Sequence, residues 1–124
     1  MLKEIAIITI TVAKLTAVES AWEEELGYEV AARNTVSAEL SEHWNAPAMQ
    51  GKATIIMQPA SGASVLVRFV EDAPGDTYAP MLSWGWNATE LLVKDPDAIA
   101  ASMVDSAFNV VGAPKDLWDA PNAP

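Results

Sequence analysis

From Ile5 to Val12 the even positions Ala6, Ile8, Ile10 and Val12 are all apolar, while the odd positions Ile5, Ile7, Thr9 and Thr11 mix alkyl groups with hydroxyls. A period of two predicts a strand with one face under helices and the other partly polar. Its β-branched residues favour extended backbone. Glu4 beside Lys3, and the lack of a small-residue cleavage pattern, argue against a secretion signal. The period then changes. Leu15, Val18, Trp22 and Leu26 recur at helical spacing within Lys14–Leu26, with Glu23, Glu24 and Glu25 turned to water and Gly27 as C-terminal cap. Tyr28–Val36 reads as a second strand. Ser37–Gln50 is a connector, with a short helix over its first residues that stops near Pro47. Ala53–Gln58 and Ser64–Glu71 are two more strands, joined by a hairpin loop at Pro59–Ala63.

After a Pro- and Gly-containing linker from Asp72 to Pro80, the pattern restarts. Trp84–Val93 reads as a strand. Asp95-Pro96 is a helix start, with an Asp cap and proline at the first helical position. Ile99, Met103, Val104, Ala107 and Phe108 predict the buried stripe of a helix over Pro96–Phe108, and Asn109–Val111 a short strand. Strand, helix and strand thus occur twice. Trp44-Asn-Ala-Pro47 is similar to Trp118-Asp-Ala-Pro121, but only the first is followed by two further strands. The predicted fold class is α+β, with tandem βαβββ modules on a curled mixed sheet and the second module incomplete at the C-terminus. Residues 1–72 form the first module, 73–83 the linker and 84–124 a partial βαβ module. An incomplete sheet leaves an open edge, so a homodimer or strand-exchanged oligomer is expected.

Composition narrows the chemistry. The chain has 124 residues, 51% of them hydrophobic and 19% charged, as for one ordinary globular domain. Seventeen acids against seven bases leave a formal charge of −10. That excludes a general nucleic-acid binder and disfavours an anionic membrane, while mildly favouring a cationic ligand. With no cysteine and one histidine, His43, a thiolate or multi-histidine metal site cannot come from a single copy. No apolar run is long enough to span a bilayer, and a cytoplasmic location is the expectation.

Two modules of this type, with a helix ending in Leu-Gly-aromatic-Glu, resemble the vicinal oxygen chelate superfamily. That group includes glyoxalase I, extradiol dioxygenases, bleomycin- and fosfomycin-resistance proteins and methylmalonyl-CoA epimerase. The resemblance lies in Ile10-Thr-Val-Ala-Lys-Leu15 and Trp22-Glu-Glu-Glu-Leu-Gly-Tyr-Glu-Val30, and in the segment from Glu90 through Lys94, Asp95 and Pro96 to Asp97. Lys14 departs from it, standing where an acid is usual. The resemblance implies half-barrel sheets that enclose a cavity. It also implies a metal ligand, commonly His, in the first strand of a module and a Glu in the last. Those positions fall on Ile7, Ala88 and near Val67, none of which offers a metal donor. No metal cofactor is expected, and Glu71 and Glu90 are the carboxylates left if a divalent ion is held.

Strand parity, counted from Ile7, puts Thr9 and Thr11 on the cavity face. Module equivalence adds Trp84, Trp86, Ala88, Glu90 and Leu92, and, on the last strand, Val65, Val67, Phe69 and Glu71. Arg68, with Leu66 and Val70, is then expected on the helix side. Trp44 and His43 lie on the connector, where they reach the cavity mouth. The expected ligand-binding set is Thr9, Thr11, Trp44, Val67, Phe69, Trp84, Trp86 and Glu90. Glu90 is the catalytic candidate, since a buried carboxylate with a raised pKa serves as general base or as clamp on a cation. The leading expectation is a metal-independent small-molecule-binding protein with an aromatic cavity. The alternatives are a lyase, isomerase or dioxygenase acting on small carbonyl or aromatic compounds, and a structural half of a longer protein.

Overall fold

The computed structural model describes residues 3–73, 79, 82, 84–86 and 88–115. The chain divides into two compact units, Met1–Thr89 and Glu90–Pro124. The first contains β1 (Ile7–Val12), α1 (Leu15–Leu26), β2 (Tyr28–Thr35), α2 (Ala38–His43), a 3-10 turn at Pro47–Met49, β3 (Ala53–Pro59) and β4 (Leu66–Glu71). The four strands form one mixed sheet in the order β1-β4-β3-β2. β1 runs parallel to β4, and the other two pairs are antiparallel. This is an α+β fold built on one βαβββ module, as the periodicity predicts.

The ends of α1 are set by two different means. Lys14 precedes the helix without a side-chain cap, and the Leu15 N–H donates instead to Glu71 Oε2 at 2.9 Å, from the far end of β4. A carboxylate there also meets the positive end of the helix dipole. At the other end Gly27 takes the left-handed conformation at φ 64°, and its N–H donates to the Trp22 carbonyl. α2 begins where the Ser37 hydroxyl accepts from the Leu40 N–H at 3.1 Å.

Most of the core lies between α1 and one face of the sheet, while Val70 and Thr54 are buried on the opposite face. Trp22 meets Phe69 edge-on at 5.0 Å between ring centres, and Tyr28 at 4.8 Å. Leu15, Ala21 and Trp22 of the helix are buried, as are Ile55, Met57, Val67 and Phe69 of the central strands. Burying each large side chain contributes on the order of 1.5–3 kcal/mol.

The second unit departs from expectation. α3 spans Pro96–Ser102, with the Asp95 carboxylate accepting from the Ala98 N–H at 2.9 Å. The cap is as predicted, but the helix ends early and passes into a 3-10 turn at Met103–Asp105. There Ser102 and Ser106 hydroxyls donate to the carbonyls of Ile99 and Met103. Such local bonds compete with continued helix. The predicted buried stripe is not formed. Val104 is 74% exposed, Ala107 is exposed, and Ile99, Met103 and Phe108 are only partly covered. The described residues of Trp84–Val93 and Asn109–Val111 carry no strand. A strand is held by its ladder, and no described residue pairs with these segments. Among the described residues, no helix is long and apolar enough to cross a membrane.

Candidate functional site

Register decides which side chains share a face. Ile7 lies opposite Leu66, Thr9 opposite Arg68, and Thr11 opposite Val70. Across the next ladder Arg68 faces Ile56, and Val70 faces Thr54. All of these project away from α1, because the alternate residues Ile8, Ile10, Val67 and Phe69 are the ones that meet the helix side. Thr9 and Thr11 therefore stand on the expected face, and both are exposed.

The last strand is inverted relative to the prediction. Val67 pairs with Ile8 and Met57, and Phe69 with Ile10 and Ile55, so both belong to the core beneath α1. Glu71 shares that side, where it holds the Leu15 N–H. Leu66, Arg68 and Val70 take the opposite face. A one-residue error in counting along a strand exchanges its two faces completely.

The connector brings Trp44 to this face. The Trp44 N–H closes α2 on the Leu40 carbonyl at 3.1 Å, and Asn45, at φ 51°, turns the chain. The Arg68 guanidinium carbon then sits 5.5 Å from the centre of the Trp44 ring, a cation–π stack. Both side chains are partly buried. Sequence reasoning missed Arg68, and the signal was a base in mid-strand in a chain with only seven bases. On the same face the Gln58 amide donates to the Glu29 carboxylate at 2.6 Å. The Thr54 hydroxyl is buried without a hydrogen-bond partner, which is costly in an apolar setting.

The other basic side chains of the sheet region are satisfied. Arg33 makes a two-pronged pair with Glu19, one prong at 2.8 Å, and Lys52 meets Asp72 at 3.0 Å. The hydrogen bonds from Arg33, helped by its charge, hold the Glu19 carboxyl below its ordinary pKa, against a smaller opposing effect of burial. Burial raises the Tyr28 phenol. Among the described residues, Arg68 has no such partner.

The remaining candidates lie outside the four strands of the sheet. Trp84 and Trp86 are fully exposed, at 103% and 98%, and line no aromatic pocket among the described residues. Leu92 and Ala88 are exposed as well. Glu90 opens the second unit and is exposed, where burial was expected. His43, the last residue of α2, is exposed.

Among solved structures, the chain is similar to a glyoxalase family protein from Bacillus cereus. The TM-score is 0.58, with 18% identity over 83% of this chain and 71% of that one. The fold is a glyoxalase fold. No protein-family model and no curated protein matches the sequence. The superfamily resemblance implies a metal ligand at Ile7 and another near Val67, but register puts Val67 on the other face, so the counterpart of Ile7 on β4 is its ladder partner. That counterpart is Leu66, and the next pair along is Thr9 with Arg68. Two alkyl groups, a hydroxyl and a guanidinium are not a donor set for a divalent ion, and the guanidinium repels one. Among the described residues, no group of three or more His, Cys, Asp or Glu is placed to hold a metal ion.

Proposed function

We propose that this chain binds a small organic molecule on the sheet face opposite α1, without a resident metal ion. The observation that carries this reading is the make-up of that face. Ile7, Ile56 and Leu66 form a half-exposed apolar floor, the hydroxyls of Thr9 and Thr11 stand beside it, and the Trp44–Arg68 stack rises from it. An apolar surface with a few placed polar groups, carried on a rigid sheet, is the usual form of a small-molecule site. The glyoxalase fold is compatible with such a role.

Amide-resolved NMR titration with a panel of small aromatic compounds tests it. Shifts are expected at Thr9, Thr11, Ile56 and the Trp44 indole, and unchanged after dialysis against a chelator. A panel that moves none of these signals, or binding that requires a stoichiometric metal ion, overturns the reading.

A second copy of the chain belongs to the same proposal. Among the described residues β1 is hydrogen-bonded on one side only, to β4, and lies at the sheet edge beside Ile5, which is 58% exposed. An unpaired apolar edge is a template for another strand.

A further inference from the structure

Resting on the small-molecule reading above, we infer that the group recognised on this face is a carboxylate, held by Arg68 and carried on a flat apolar body. The argument begins with what Arg68 lacks. The chain has seventeen acids and two arginines, and the more exposed arginine, Arg33, is fully engaged by Glu19. Arg68 is partly buried in the middle of β4, and its side chain makes neither an ion pair nor a hydrogen bond with any of the described residues. Its guanidinium lies over the Trp44 ring.

That contact draws no N–H of the guanidinium into a hydrogen bond with a described residue. The N–H groups lie in the guanidinium plane, five donors in a fixed fork, and they remain unused. A partly buried cation with idle donors is poorly satisfied, and its natural complement is a planar two-oxygen anion. Three acids of the sheet strands and their ends are engaged elsewhere. Glu71 points to the other side of the sheet, Asp72 is taken by Lys52, and Glu29 is bonded to Gln58 on β2, two strands from β4.

The surroundings choose among anions. Ile56 lies across one ladder from Arg68 and Thr9 across the other. One guanidinium, one hydroxyl and alkyl neighbours match a monoanion on an apolar body better than a multiply charged phosphate. The Trp44 ring offers a wall for an aromatic body. The overall charge of −10 opposes an anion at long range, but exposed charges beyond about 8 Å are largely screened at physiological salt. The ligand sign suggested by composition is thus reversed by one local group.

Benzoate and its neutral analogue benzamide are the probes, titrated into the intact 124-residue chain with amide shifts and calorimetry as readouts. Benzoate is expected to bind at Thr9, Thr11 and Ile56, with benzamide about tenfold or more weaker. Arg68→Gln weakens benzoate by a similar factor, and Arg68→Lys recovers part of it, because an ammonium keeps the charge but not the fork. Equal affinity for the two probes on the wild-type chain, with shifts on this face, overturns the carboxylate assignment and leaves the small-molecule reading standing. Arg68→Gln that is folded and titrates like wild type also overturns it. Neither probe moving any signal of this face overturns both. If Arg68→Gln does not fold, the comparison of probes on the wild-type chain decides.

Discussion

Gly27 and Glu71 end α1 by different physics. Nothing lies within 4 Å of a Cβ built on Gly27, so an alanine there meets no clash and suffers only from the left-handed backbone at φ +64°. Gly27→Ala is expected to cost about 1 kcal/mol in urea unfolding, with Gly27→Asn milder. Glu71 is a different case, since its role as cap depends on a residue 56 positions away and is invisible to any local rule. A third group carries a pH dependence. The Glu19 carboxyl is held below its ordinary value of 4.5 by Arg33. Its pairing therefore stabilises the fold fully above that unfolded value, and the contribution is lost as pH falls through the lower folded one. Glu19→Gln is expected to flatten this acid limb in unfolding midpoints measured from neutral pH downward, with little change in the other limb.

The sheet and α1 are held by a small set of contacts. Phe69, 1% exposed, packs against Trp22 and stands beside Ile10 and Ile55 on the inner face. Phe69→Ala is expected to cost about 3–5 kcal/mol, lost burial and cavity together. Trp84→Ala removes a larger side chain, yet its ring is fully exposed and the change is expected to stay within about 0.5 kcal/mol. Thermal unfolding of the two variants separates these outcomes widely. Equal losses would show that Trp84 packs as the strand reading proposed. The hydrophobic stripe of α3 illustrates the same point from the other side. Its spacing is correct for a helix, but no described residue from Glu90 to Lys115 is buried. Periodicity marks what an element is able to bury, and packing needs a partner.

The proposed self-association rests on the edge of β1, which is open among the described residues. Light scattering is expected to return twice the chain mass at micromolar concentration, and lysine at Ile7, on that edge strand, is expected to shift the population to monomer. A monomer throughout the accessible range removes the self-association proposal without touching the ligand site, because Arg68 and Trp44 belong to one copy.

Much of the first unit was legible in the sequence. The two-residue alternation from Ile5, the helical stripe to Leu26, Gly27, the hairpin after Pro59 and the Asp95 cap are all local patterns, and local sterics and hydrogen bonding decide them. The α+β class follows from their order. The site was only half legible. The face on which Thr9 and Thr11 stand was legible, because β1 has one wholly apolar face, and so was the place of Trp44 on the connector. Val67 and Phe69 were placed on the wrong side and Arg68 with them, because β4 is apolar on both faces apart from its charges, and alternation cannot orient such a strand. Its orientation comes from pairing with β1, more than fifty residues earlier in the chain, through the Thr9–Arg68 and Ile10–Phe69 register. The meeting of Arg68 with Trp44 needs that register and the turn at Asn45 together, and so belongs to the tertiary fold.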